Sequence, residues 1–212
     1  HSENTSLGYA LLFLGEEVGT EGDYTTADAA YRFTSPKDHT GKKMGSVGDI
    51  DGDGLNDFFI GAQNYTSGNG TTYLILGGSL GLPGDYSLSD VAAYSFNGAA
   101  QGDIASIHGT GDVDGNGLDD FIMGGGGYAN NPGDAYLFLS ENLGLPGAYS
   151  VNDADVHFEG QSNIYDNVGS SFVSGDFDGD SQIDILIGAH SNGDTGPTGG
   201  RIYIIYGDSL SG

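Results

Sequence analysis

The stretch GDIDGDGLNDFFIGA, residues 48–62, holds Asp49, Asp51, Asp53 and Asp57 within nine positions and then turns apolar. Carboxylates so close together repel one another, so keeping them needs a physical reason. Nearly the same text returns as GDVDGNGLDDFIMGG (111–125) and GDFDGDSQIDILIGA (175–189). The leading acids, Asp49, Asp112 and Asp176, stand 63 and 64 residues apart. A period of that length marks a repeat architecture, in which each unit buries its apolar faces against its neighbours. Other landmarks keep step. LGLPGDYSL (80–88) recurs as LGLPGAYSV (143–151), and YRF, YSF and VHF begin at Tyr31, Tyr94 and Val156.

Around each acidic stretch the text breaks into short runs bounded by Gly, Asn and Asp, which read as β-strands. A mixed run precedes the acids (KKMGSVGD, IASIHGTGD, VGSSFVSGD) and a continuous apolar run follows them (DFFIGA, DFIMGG, DILIGA). A third run is aromatic and β-branched (TTYLILGG, DAYLFLS, RIYIIYGD), and a fourth alternates (AAYSFNG, ADVHFEG). The second and third, apolar nearly throughout, predict strands covered on both faces. Four strands at this period predict an all-β fold, a β-propeller of four-stranded antiparallel blades.

The chain starts out of phase, with GYALLFLGE (8–16) as a third strand and DAAYRFTS (28–35) as a fourth. RIYIIYGDSLSG (201–212) stops just after a third strand. The sum is thirteen strands, about three and a quarter blades: a partial blade at 1–35 and repeats at 36–98, 99–161 and 162–212. Propellers close with roughly four to eight blades, so such an arc implies contact with further blades or closure by a second copy.

Forty glycines sit among Asn, Asp, Ser and Thr between the apolar runs, which is turn chemistry. The net charge of −25 excludes a nucleic-acid partner, because five Lys and Arg cannot neutralise a phosphate backbone. It equally opposes docking on anionic membranes. The absence of cysteine excludes a disulfide framework and thiolate metal sites. No run approaches the ~18 apolar residues of a membrane-spanning helix, and no membrane insertion is expected.

The acids follow the spacing Asp-x-Asp-x-Asp/Asn-x-x-x-Asp. Odd positions of a tight loop can turn their side chains toward one centre, and hard oxygen donors suit calcium, which takes six to eight oxygens at about 2.3–2.6 Å. The expected ligand sets are Asp49, Asp51, Asp53, Asp57; Asp112, Asp114, Asn116, Asp120; and Asp176, Asp178, Asp180, Asp184. By analogy with the EF-hand loop, a backbone carbonyl joins each set, assigned to Leu55, Leu118 and Ile183. Gly54 and Gly117 at position six permit the sharp turn, whereas Ser181 in the third copy predicts a more strained loop.

An EF-hand itself is excluded, since position twelve is Ile60, Met123 or Ile187 instead of a bidentate Glu. Magnesium prefers to keep its waters, and zinc takes His or Cys. Asp-Gly clusters also serve as plain turn formers. Three copies in register, each with the ninth-position Asp, favour calcium. Eleven of the thirty acids then serve as expected ligands. Without a cation their repulsion raises carboxylate pKa values, and with one the binding energy contributes to folding.

These residues resemble the FG-GAP repeat of the integrin α-subunit propeller and its bacterial relatives, through the acidic loop followed by DFFIGA or DILIGA. The "GAP" end reads Gly61-Ala62-Gln63, Gly124-Gly125-Gly126 and Gly188-Ala189-His190, without proline, and Thr40-Gly41 stands for Phe-Gly. With no cysteine and an acidic balance, the chain is more similar to a bacterial surface or secreted protein than to an integrin. The resemblance implies an extracellular or cell-surface module for adhesion or for binding protein or carbohydrate. It implies calcium as a structural support in the hairpin between the first two strands of a blade, opposite the ligand face. Ligand contact then falls to 62–70, 125–134 and 189–200, and to 35–42, 97–103 and 159–167, where Tyr65, Tyr128 and Tyr165 offer stacking faces. FG-GAP-like repeats also accompany lyases and phospholipases. The resemblance therefore admits, as the alternative, a non-catalytic part of a secreted polysaccharide lyase or phospholipase-like enzyme, and the incomplete arc admits a self-assembling fragment.

Catalysis within the chain is not expected. Gly77-Gly78-Ser79-Leu80-Gly81 matches the G-x-S-x-G elbow, but that motif needs a strand-to-helix turn and Leu82-Pro83-Gly84 follows. His39, His108, His157 and His190 occupy different places in the repeat, with no carboxylate at motif spacing. No glycine-rich phosphate loop is present.

Overall fold

The computed structural model describes residues 8–16, 18–19, 22–36, 39–62, 70–98, 106–125, 132–160, 166–191 and 199–210. Among them the strands are β1 (Tyr9–Leu12), β2 (Tyr31–Thr34), β3 (Thr40–Gly48), β4 (Asp57–Ala62), β5 (Thr71–Ile75), β6 (Gly84–Ser87), β7 (Tyr94–Asn97) and β8 (Ser106–Gly111). The remainder are β9 (Asp120–Gly125), β10 (Asp134–Phe138), β11 (Gly147–Ser150), β12 (Val156–Glu159), β13 (Val168–Gly175), β14 (Asp184–Ala189) and β15 (Arg201–Ile205). They form four sheets, ordered β1-β2-β6, β11-β7-β5-β4-β3, β12-β10-β9-β8 and β13-β14-β15. The fold is all-β, with antiparallel blade-like sheets, and all thirteen predicted strands are present. Each acidic stretch is the hairpin joining the first two strands of a sheet.

Two strands were not predicted. β6 and β11 lie inside the repeated LGLPG-x-YS landmark and pair in parallel with the sheet before their own: Tyr31↔Gly84 through Thr34↔Ser87, and Gly147↔Tyr94 through Ser150↔Asn97. Each adds a parallel edge strand to the antiparallel sheet before it. The second sheet has five strands, the outermost supplied by the following unit. A tyrosine pins each exchange. Tyr86 Oη donates to the Leu82 carbonyl at 2.6 Å, and its ring lies 6.1 and 6.3 Å from those of Tyr31 and Phe33. Tyr149 Oη donates to the Leu145 carbonyl at 3.0 Å, with its ring 5.8 Å from both Tyr94 and Phe96.

Apolar cores fill the spaces between successive sheets. Period-two alternation explains why the second and third strands of each unit read as continuously apolar. Phe59 of β4 packs with Leu74, Phe96, Phe121 and Phe138, whereas its neighbours Ile60 and Ala62 face Ala10, Phe33 and Leu88 on the other side. In β9, Phe121 and Met123 face the first of these cores and Ile122 faces Leu137, Ile185 and Ile187. Ring centroids of 5.0–5.2 Å for Phe96–Phe138, Phe121–Phe138 and Phe59–Phe121 lie in the favourable aromatic range. Two glycines allow the sheets to close up: a Cβ on Gly109 would lie 2.5 Å from Val47 Cα, and one on Gly124 would lie 2.0 Å from the Gly169 carbonyl oxygen.

The fourth sheet shows what a uncovered face of this design looks like. Ile202 and Ile204 are 66% and 47% exposed, while Ala135 and Leu137, in the matching places of the third sheet, are fully buried.

Candidate metal centres

Each acidic loop winds round its first aspartate. Asp49 Oδ1 accepts the backbone N–H of Gly52 at 2.8 Å and of Asp53 at 3.1 Å, and Oδ2 accepts that of Gly54 at 2.8 Å. Asp112 takes Gly115, Asn116 and Gly117 at 2.8, 2.9 and 2.8 Å, and Asp176 takes Gly179 and Ser181 at 2.6 and 3.0 Å. The third and fifth places each accept an N–H two residues on: Asp51 from Asp53, Asp114 from Asn116 and Asp178 from Asp180, then Asp53 from Leu55, Asn116 from Leu118 and Asp180 from Gln182. These short-range turns aim the odd-numbered side chains inward.

One oxygen from each of Asp49, Asp51 and Asp53 lies within 4.8 Å of the others, and the same holds for Asp112, Asp114 and Asp120 and for Asp176, Asp178 and Asp184. Two oxygens bound to one ion at ~2.4 Å are at most about 4.8 Å apart, so the members of each trio are close enough to share a single cation. The donors are all carboxylate oxygens, a hard set. The chain therefore carries acidic clusters able to hold metal ions.

The ninth-position acid ties its loop into the sheet. Asp57 is fully buried, and its carboxylate accepts the N–H of Ile50 at 2.9 Å and of Gly77 at 2.8 Å. Asp120 takes Val113 and Ser140 at 3.0 and 2.8 Å, and Asp184 takes Phe177 and Gly207 at 2.8 and 3.0 Å. Each thus fastens the acidic loop to the turn that leaves the third strand. Burial pushes the Asp120 carboxyl up to about 6, with the charges of Asp114 and Asp112 adding to it against the two backbone donors. Burial likewise raises Asp57.

Two expectations change. The residue matching Leu55 and Leu118 in the third loop is Gln182, whose N–H makes the corresponding bond to Asp180. Ile183 stands one place later, beside Asp184. Its carbonyl oxygen lies 2.7 Å from where a Gly207 Cβ would stand, as the Asn56 carbonyl lies 2.5 Å from that of Gly77, so it faces the turn and not the loop centre. Second, the fifth-place side chains diverge: the Asn116 amide donates to Asp114 at 3.0 Å and to Glu141 at 2.8 Å, while Asp180 accepts the Gln182 amide at 3.1 Å.

Ser181 takes φ 74°, in the left-handed region where Gly54 and Gly117 sit at 87° and 95°. A non-glycine residue there costs roughly 1–2 kcal/mol. Ser181→Gly should therefore raise the melting temperature by a few degrees, about 2–4 °C per kcal/mol for a chain of this size. A calorimetric scan showing no gain would mean that this loop carries no strain.

The family model described as "FG-GAP repeat" matches residues 45–75 and 168–205, which include the first and third acidic loops. Two stretches of the chain match the FG-GAP repeat. It is 28% identical over 211 residues to human phosphatidylinositol-glycan-specific phospholipase D, an alignment covering 94% of this chain and 24% of that protein. The rat protein of the same name is 27% identical over 188 residues, covering 84% of this chain and 22% of its own length. The chain thus spans about a quarter of the length of these relatives. The second FG-GAP-like loop, outside the matched spans, repeats the hydrogen bonds of the other two.

Elsewhere in the sheets, Ser79 ends a 3-10 turn with its Oγ donating to the Leu76 carbonyl at 2.7 Å, so no nucleophile elbow forms there. His108 Nε2 lies 3.0 Å from Ser174 Oγ across two neighbouring first strands, and burial holds the imidazole below its ordinary pKa. His157 has a carboxylate partner that spacing hid, Asp134 at 3.1 Å across the β10–β12 pair, and stacks on Tyr136 at 4.7 Å. Tyr65, Tyr128 and Tyr165 lie outside the described residues, as does most of each expected ligand loop other than 35–42. No helix among the described residues is long and apolar enough to cross a membrane.

Proposed function

We propose that the chain is a calcium-stabilised FG-GAP propeller segment, not itself catalytic, that serves extracellular adhesion or the binding of protein or carbohydrate. The observation that carries this reading is the threefold recurrence of a carboxylate trio of calcium's dimensions, each built on one hairpin and tied to its sheet by a buried ninth-position Asp. Bound calcium would supply the positive charge that offsets carboxylate repulsion. Asp49, Asp51 and Asp53 would hold it in the first loop, Asp112, Asp114 and Asp120 in the second, and Asp176, Asp178 and Asp184 in the third, with Leu55, Leu118 and Gln182 offering carbonyls. The remaining work belongs to the chain. The buried carboxylates fix each hairpin against its third strand, so that the loops across the sheet keep their places.

Calcium titration by calorimetry should give three sites. Asp51→Ala, Asp114→Ala and Asp178→Ala should each remove one and leave two. An unchanged stoichiometry in any of these variants contradicts the assignment of that loop.

A second reading rests on the relatives, whose name is that of a phospholipase D. In it the segment is a non-catalytic part of a longer secreted enzyme. The His108–Ser174 pair is where chemistry would be sought if the segment were itself active. Turnover of a polysaccharide or phospholipid panel by this chain, lost in Ser174→Ala, defeats the non-catalytic reading. The exposed Ile202 and Ile204 favour association with a further blade or a second copy, which light scattering reads directly.

A further inference from the structure

Asp119 occupies the eighth place of the second acidic loop, between Leu118 and the buried Asp120, and belongs to none of the carboxylate trios. Its side chain leaves its own loop. Asp119 Oδ2 accepts the backbone N–H of Asp49, the first residue of the first loop, at 2.8 Å. In return the N–H of Asp119 donates to the Asp49 carbonyl at 3.0 Å. Asp49 is thus clasped on both sides of its α-carbon by one residue of the neighbouring repeat.

The base of the first loop is shaped round this contact. Gly48 has φ 83°, and a Cβ on it would stand 1.9 Å from Asp119 Oδ2. Leu118 Cδ2 lies 3.1 Å from where a Gly52 Cβ would be, so the second loop also borders the first turn of the first. Asp119 is anchored in turn, since its carbonyl accepts Ser140 Oγ at 2.5 Å. The next boundary is different. There Ile183 fills the eighth place and makes only an apolar approach, with its Cδ1 3.7 Å from the Cβ position of Gly111.

A cation in the second loop orders residues 112–120 and so fixes Asp119. Asp119 then holds the peptide of Asp49, the residue on which the first loop winds. A loop already held loses less freedom when it binds, and linkage makes the benefit mutual. We infer that Asp119 is a positioning residue that couples the first and second metal loops, so that calcium at either raises affinity at the other, while the third binds independently. The inference rests on the calcium reading proposed above.

The test is calcium calorimetry on the full chain with loops silenced in turn. Asp178→Ala leaves the first and second loops together; adding Asp114→Ala leaves the first alone, and adding Asp51→Ala instead leaves the second alone. Each lone loop should bind about tenfold more weakly than it does beside its loaded partner, within the ~5–150-fold range of ordinary coupling. Asp119→Ile, which copies the next boundary, should bring the pair to its lone affinities. In a chain with Asp178 intact it should leave the third loop unchanged, which shows that the fold persists. Independent binding by the first two loops of the parent, or coupling that survives Asp119→Ile, overturns the inference and leaves the calcium reading in place. A third loop weakened by Asp119→Ile overturns it too, because the substitution then acts through the whole fold. No calcium uptake by the parent removes both.

Discussion

Asp120→Ala should lower the melting temperature of the metal-free chain by roughly 5–20 °C. The substitution takes away the acceptor of two backbone donors, Val113 and Ser140, inside a site with no solvent access. Each donor left buried without a partner costs about 1–3 kcal/mol, and each kcal/mol shifts the midpoint by about 2–4 °C in a chain of this length. Asp57→Ala should behave alike, because it strands Ile50 and Gly77 in the same way. Asp114→Ala is the control. That side chain accepts bonds at the exposed rim, so without calcium its loss should cost little. Equal melting temperatures for Asp120→Ala and Asp114→Ala in chelator would show that the ninth-position acid is a ligand only.

Chelation of the parent chain should have the larger effect. A ligand at a hundred times its dissociation constant stabilises by about 2.7 kcal/mol, so three such sites amount to ~8 kcal/mol and a fall of roughly 15–30 °C on removal. The gap should depend on pH, with a sign fixed by Asp120, whose carboxyl is raised from 3.8 to about 6 in the fold. The metal-free folded chain holds a proton there that the unfolded chain has already released. That contribution is complete below pH ~4 and is lost as the pH rises through about 6. Calcium replaces the proton, so the difference between calcium and chelator scans should widen from pH 4.5 to pH 7. A constant difference would exclude Asp120 from the site.

The period, the acidic hairpins and thirteen strands were legible because each is written locally. Oxygen donors at alternate places, glycines where φ must be positive and apolar runs of strand length need no distant partner to be recognised. The unread features depend on tertiary partners. GDYS and GAYS are short and half exposed, and become strands only because β2 and β7 present free edges. Asp57, Asp120 and Asp184 were recognised as metal donors, but their grip on Gly77, Ser140 and Gly207 lies 20 or more residues away. Asp119 carries no repeated signal, since Asn56 and Ile183 hold its place in the other units. The seventh place of the third loop is Gln182 and not Ile183, because its N–H makes the bond to the fifth side chain that Leu55 and Leu118 make in the other loops.

The parallel pairing of β6 with β2 and of β11 with β7 means that the modular boundary is not where the text repeats. Excising 99–161 would strip β7 of its outer neighbour, although the excised piece is one whole period. Excising 84–146, also one period, joins Pro83 to Gly147 and hands β2 a replacement GAYS rib. Recombination, natural or engineered, therefore has a preferred seam at the two Leu-Pro-Gly crossings, where the backbone passes from one lamina to the next.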